Sequence, residues 1–204
     1  MKLRSLEDLM VAQLKILRGA EEHIVSNLPK YAACASAPEV VAALEAQVAE
    51  AAAQRTRLTR IAEILDKKLS PRTSDPVEGM LEEMRILTML KKTDPQTLDI
   101  ALLSASQRLL RHRMNAYRHA HTLAEENGSG PVAELLDEAL AEQSAADAEL
   151  TKQIGWLIKP PVVRKIVEAS VQAIKPSKLR RPADVVDRLL GVDVPRSAAD
   201  ENVT

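Results

Sequence analysis

The chain has 204 residues, of which 46 % are hydrophobic and 28 % charged, and its formal net charge is −1. That length bounds it to one ordinary core with an appendage and excludes two large domains. Phenylalanine is absent, tryptophan occurs once and tyrosine twice, so Leu, Ile, Val, Met and Ala must build the core; with only six glycines this excludes a β-rich fold and predicts an all-α protein.

Cys34 is the single cysteine, so no intramolecular disulfide forms, which suits a reducing compartment. The opening MKLRSLEDLM carries acids where a secretion signal needs an apolar run. No stretch approaches the roughly 18 apolar residues of a membrane span. A cytoplasmic protein without a transmembrane segment is expected.

Ser5, three residues before Asp8, is a helix-opening cap. Leu6, Met10, Leu14, Leu17, Glu21, Ile24 and Leu28 follow at steps of three or four, which makes one helical face with a carboxylate on it. Pro29 disturbs the end of that helix, and Pro38 suits the first position of the next. The second helix is expected over 38–66, with Val41, Leu44, Val48, Ala51, Leu58 and Leu65 facing inward. LSPRTSDP reads as a loop, followed by a short helix near 76–90 that stops at KKTDP. Its apolar face (Val77, Met80, Leu81, Met84, Leu87, Leu90) is larger than a loop cover needs, which points to self-association. A third long helix is expected over 95–127, ended by NGSGP, and a fourth from Val132 to about Ile158.

Four long helices joined by breaks read as an antiparallel four-helix bundle with a short extra helix between helices 2 and 3. IKPP closes the bundle, so residues 1–158 form one domain and 159–204 a basic helical extension. Within the extension, 162–174 and 183–191 read as amphipathic helices and the last dozen residues as disordered. Residues 152–188 hold nine Lys/Arg against Glu168, Asp184 and Asp187. Such a segment can meet nucleic acid or a membrane surface. The scarcity of aromatic residues for stacking weighs against nucleic acid, and docking on the chain's own bundle or on a second subunit is the plainer role.

Residues 106–121, SQRLLRHRMNAYRHAH, pack four arginines and three histidines into one helix and raise the question of a metal. His112 and His119 are seven residues apart, two turns, too far for one ion, and His121 points elsewhere. No histidine has a Glu three residues before it, so the E-x-x-H pairs of di-iron bundles are missing. More telling are the polar residues on core lines: Glu21 in the first helix, Gln47, Glu50 and Gln54 in the second, Arg113 in the third, Gln143 and Asp147 in the fourth. A charge on a core line is costly unless paired or ligating. One internal polar cluster drawn from all four helices is the sharp expectation; edge residues reaching for water is the bland one.

The segments MKLRSLEDLMVAQLKILRGAEEHIVSNLPKYA, APEVVAALEAQVAEAAAQRTRLTRIAEIL, ALLSASQRLLRHRMNAYRHAHTLAEENG and LLDEALAEQSAADAELT resemble the YciE/YciF-like family of bacterial stress-associated proteins. The resemblance covers about residues 1–155, with SLEDL…AE…LPK its most specific part. It implies a ferritin-like four-helix bundle, a tendency to dimerise and a metal site. It also implies that Glu21, Glu50, Gln54, Gln107, Tyr117 and Asp147 match the family pattern. The family has His where this chain has Gln47, and acids where it has Leu110, Arg113 and Gln143. A dinuclear site needs carboxylates or imidazoles at several such positions. The resulting expectation is a non-catalytic, structural or regulatory dimer with a degenerate metal site and no cofactor, in which Arg113 pairs with Glu21 or Glu50. The alternative is a metal-binding protein or an oxidase- or catalase-type enzyme, holding iron or manganese on Glu21, Glu50 and Asp147.

Overall fold

The computed structural model describes residues 3–160 together with Lys165. The chain divides into a compact unit, Met1–Ile158, and a second unit, Lys159–Thr204. The helices expected at 162–174 and 183–191, the tail after them and most of the basic stretch 152–188 lie outside the described residues.

Five helices, and no strand, occur among the described residues: α1 (Leu6–Ala32), α2 (Pro38–Ile64), α3 (Asp75–Met89), α4 (Pro95–Glu126) and α5 (Gly130–Leu157). The four long helices form a ring in which α1 packs on α2 and α4, and α5 packs on α2 and α4, while α3 lies against α1 and α4. The C-terminal half of α1, the N-terminal halves of α2 and α4 and the C-terminal half of α5 share one apolar cluster. Ring neighbours are therefore antiparallel, and the segment holding α3 carries the chain back along the bundle so that α2 and α4 run the same way. This is an all-α ferritin-like bundle.

Local chemistry sets the ends. The Ser5 hydroxyl accepts from the Asp8 amide at 3.1 Å, and the Asp8 carboxylate accepts from the Arg4 amide at 2.9 Å. Asp94 caps α4 by accepting from the Thr97 amide at 2.9 Å. Between α4 and α5, Gly128 has φ +66, the Gly128 amide donates to the Glu125 carbonyl and the Ser129 amide to the Ala124 carbonyl. That is a Schellman ending, which needs the left-handed conformation glycine adopts freely. The start of α2 is capped from a distance: Asp99 of α4, only 3 % exposed, accepts from the amides of Ser36 and Ala37 at 2.8 and 2.9 Å.

The elements depart from the periodicity in identifiable places. α1 runs past Pro29 to Ala32, where burial of Tyr31 and Ala32 outweighs the hydrogen bond the proline cannot donate. Leu6, counted on the inward line, is 51 % exposed because it opens the helix beyond the last layer of the core. On α2 the inward position is Val40, and Val41 is only partly buried. On α3 Val77, Leu81 and Met84 face inward, whereas Leu90 caps the helix and is exposed. α5 begins at Gly130, two residues ahead of Val132, because the Schellman turn is so short.

One glycine is demanded by packing. The loop after α2 crosses α1 at Gly19, where the Arg72 amide donates to the Lys15 carbonyl at 3.0 Å. A Cβ on Gly19 would stand 2.0 Å from the Arg72 carbonyl oxygen.

The core falls into two apolar clusters, one around Ile24, Leu44, Met84 and Leu102, the other around Met10, Leu14, Leu58, Tyr117 and Leu136. On every long helix the change from one to the other happens at a polar residue: Glu21 between Leu17 and Ile24, Gln54 between Ala51 and Leu58, Arg113 between Leu110 and Tyr117, Gln143 between Ala139 and Leu150. A polar layer thus cuts across the bundle.

Candidate functional site

Arg113 reaches the layer because it follows Ser106 and Leu110 on the inward stripe of α4, at spacings of four and three. Its side chain is 1 % exposed and Glu21 is wholly buried. Arg113 Nη1 donates to Glu21 Oε2 at 2.5 Å, and Nη2 donates to Glu50 Oε2 at 2.9 Å. The other Glu21 oxygen accepts from the Tyr117 hydroxyl at 3.1 Å. One planar guanidinium therefore ties α4 to both α1 and α2 with charge-assisted hydrogen bonds.

The electrostatics follow from burial. Glu21 is pushed up to about 7, first by its removal from water and then by the Glu50 charge, although Arg113 and the Tyr117 hydroxyl pull the other way. For Arg113 burial opposes the charged form, but Glu21 and Glu50 outweigh it and raise its pKa. Burial, then the Glu21 carboxylate, lifts the Tyr117 phenol well above its ordinary value. Among described groups, Arg113 Nε, Glu50 Oε1 and both amide atoms of Gln143 are buried without a hydrogen-bond partner.

The remaining polar residues are distributed around this centre. Gln47 donates to the Ser106 hydroxyl at 2.9 Å, and that hydroxyl donates to the Leu103 carbonyl at 2.8 Å. Gln54 belongs to a second network between α2 and α5: its amide donates to Glu142 at 2.9 Å and accepts from Arg57 at 2.6 Å, while Arg57 forks onto Glu142 at 2.8 and 3.0 Å. Arg57 lowers the Glu142 pKa through those bonds. Gln143 is fully buried in the layer.

Asp147 is not part of the cluster. It accepts from Arg111 at 2.7 Å and from Gln107 at 2.8 Å on the outer side of the α4–α5 pair, four residues past Gln143 and turned away from Glu21. The basic face of α4 is similarly spent on neighbours, with Arg108 paired to Glu83. His23 stands 3.6 Å from Glu78 and His121 3.4 Å from Glu125, both on the outside. Among the described residues no three His, Cys, Asp or Glu side chains gather as a metal-binding group. Sequence reasoning missed Arg57, Glu142 and Asp99; only the uncapped Ala37 hinted at the last.

The family described as "Domain of unknown function (DUF892)" matches residues 5–160. The chain belongs to this family. Within DUF892 it is similar to Protein YciF of Escherichia coli (strain K12), 28 % identical over 153 residues, which is 74 % of this chain and 91 % of that protein. The crystal structure of the E. coli stress protein YciF superimposes with a TM-score of 0.73 at 26 % identity, covering 76 % of this chain and 98 % of that one. YcfI from Rhodopseudomonas palustris shares the fold with a TM-score of 0.69 at 24 % identity, covering 74 % and 95 %. The chain is thus a YciE/YciF-like member of DUF892, and among the described residues no helix is long and apolar enough to cross a membrane.

Proposed function

We propose that this chain is a non-catalytic member of the family, a structural or regulatory stress-response protein of the cytoplasm in which an internal ion pair replaces the dinuclear metal site of ferritin-like bundles. The observation that carries the reading is Arg113, whose guanidinium takes one oxygen each of Glu21 and Glu50. A pair of dications does not fit these residues. The guanidinium holds one oxygen each of Glu21 and Glu50 and would repel both ions. Leu110 offers no ligand atom, Gln143 is neutral, and Asp147 is turned outward onto Arg111. Support for a stress role comes from the likeness to the E. coli stress protein YciF.

The test is metal content of untagged protein from cells grown with added iron and manganese, with melting curves in the presence and absence of a chelator. Metal well below stoichiometry and unchanged melting are expected. Stoichiometric iron or manganese with chelator-sensitive melting would establish the alternative, a residual site on Glu21, Glu50 and Asp147. We also propose a homodimer formed through α3, where Ile86, Met89 and Leu90 are 50 %, 64 % and 53 % exposed. Sedimentation showing only monomer at concentrations of tens of micromolar, where a weak dimer is populated, would remove that part.

A further inference from the structure

Methionine is an apolar side chain that a mild oxidant turns polar, so where a chain leaves one open bears on what its surface can do. Met10 and Met84 have no exposure, and Met80 and Met114 are partly buried against the core. Met89, at the end of α3, is 64 % exposed. It is the most open of the described methionines, and it lies on the apolar face proposed above for pairing two copies.

Its sulfur is also held from one side. Glu82 accepts from Arg85 Nε at 2.6 Å and from Nη2 at 2.5 Å, a two-bond fork that orients the guanidinium plane. The remaining terminal nitrogen, Nη1, donates to Met89 Sδ at 2.8 Å. Residues 82, 85 and 89 follow at spacings of three and four, so the three side chains run in line along one side of α3. A thioether sulfur has two lone pairs, and this contact takes one. On the other flank of Met89 stands Ile86, itself 50 % exposed.

We propose that Met89 is a reversible oxidation site, at which a hydroperoxide adds oxygen to one chosen face of the sulfur and weakens the pairing of two copies through α3. The effect on pairing rests on the homodimer reading; the oxidation itself does not. The open lone pair of Sδ attacks one oxygen of hydrogen peroxide, and the O–O bond breaks as the S–O bond forms. The departing hydroxide takes the remaining peroxide proton and leaves as water. Sulfur loses two electrons and the peroxide gains them. Because Arg85 covers the other lone pair, one of the two sulfoxide epimers predominates. The new oxygen is a strong acceptor on the apolar flank, where a second copy would have to bury it without a donor. Oxidation takes place on the free monomer and so draws the equilibrium away from the dimer.

The experiment treats the full chain with hydrogen peroxide in a Cys34→Ser background, which prevents disulfides between copies through that exposed thiol. Peptide mass spectrometry follows oxygen addition at each methionine, and two epimer-specific methionine sulfoxide reductases read the stereochemistry. Met89 should gain oxygen first, with one reductase removing most of it and the other little. Arg85→Ala should bring the two epimers toward equal amounts. In sedimentation the oxidised chain should dimerise about tenfold or more weakly, the effect of burying one unpaired acceptor, and reductase should restore it. Met89→Leu should make association indifferent to peroxide, whatever its own strength. Oxidation of Met80 or Met114 as early as Met89, or equal epimers with Arg85 in place, overturns the site. A dimer unmoved by oxidation of Met89 overturns the effect on pairing. Untreated protein that is monomeric throughout removes the homodimer and that effect with it, while the epimer ratio still decides the site.

Discussion

Arg113→Leu tests the ion-pair layer where it is most exacting. The substitution takes from Glu21 its 2.5 Å donor and from Glu50 its 2.9 Å donor, and leaves the Tyr117 hydroxyl as the remaining partner of Glu21. Removing one member of a buried pair costs about 3–5 kcal/mol, because the other charge stays behind in a medium that cannot solvate it. Glu21 is wholly buried and Glu50 is 14 % exposed, so most of that cost falls on Glu21. Adding Glu21→Gln to Arg113→Leu removes the stranded charge and should restore half of the loss or more. Proton uptake offers a second lever. The folded protein holds the Glu21 proton up to about pH 7, so Arg113→Leu should cost clearly more at about pH 8.5 than at about pH 5.5, where Glu21 is neutral. Urea unfolding followed by helical circular dichroism, for wild type, both single variants and the double variant, gives all the differences required. A loss below about half a kcal/mol at the higher pH, the scale of a surface change, would refute the reasoning. So would strict additivity of the two substitutions.

Wild-type stability should fall as pH rises from about 4.5 to about 7. Over that window the folded chain retains the Glu21 proton while the unfolded chain has released it; the contribution is complete below the window, lost above it, and worth about 3 kcal/mol. Glu21→Gln should flatten the slope, and identical pH profiles for the two proteins would contradict the assignment. Gly19→Ala should destabilise by about 1–3 kcal/mol despite alanine's better helix propensity, since its Cβ meets a backbone carbonyl that cannot swing aside; a melting temperature at or above wild type would disprove the crossing. Asp99→Ala should cost about 1–2 kcal/mol, as loss of a helix cap does, with amide exchange faster first in the opening turn of α2. Uniform acceleration along the whole chain would argue against a local cap.

The helices and their partners in the bundle were legible because each reports itself within a few turns. Leu14, Leu17, Glu21, Ile24 and Leu28 share one stripe whatever surrounds them, and NGSGP has few conformations other than a turn. Arg113 was harder, since Met114 sits beside it and the stripe alone cannot rank them; Met114 is half-buried and Arg113 is in the core. Asp147 was misplaced for the same reason in reverse. Its helix is alanine-rich on several sides, so periodicity left its direction open and Arg111 drew it outward. Asp99, Arg57 and Glu142 act on residues 60 or more positions away in the chain, and no local pattern encodes such a partner. Gly19 carried a faint signal: a glycine in a helix interior costs about 1 kcal/mol, which a chain bears where something must pass close.

The core's composition gives the polar layer a bearing on alignment. Leucine and alanine repeated every seven residues present nearly the same relief after a slide of two turns, and no phenylalanine interrupts the repetition. Slid by that distance along α1, Arg113 would lie level with Leu14 or Leu28 rather than Glu21, a cation among hydrocarbon. The layer is the notch that allows the helices to lock at a single offset. A variant in which Glu21, Glu50, Gln54, Arg113 and Gln143 are all leucine or alanine and Tyr117 is phenylalanine is expected to resist urea at least as well, yet to show several sets of amide resonances where the natural sequence shows one. In a bundle made from interchangeable parts, the costliest residues are the ones that tell each helix where to stop.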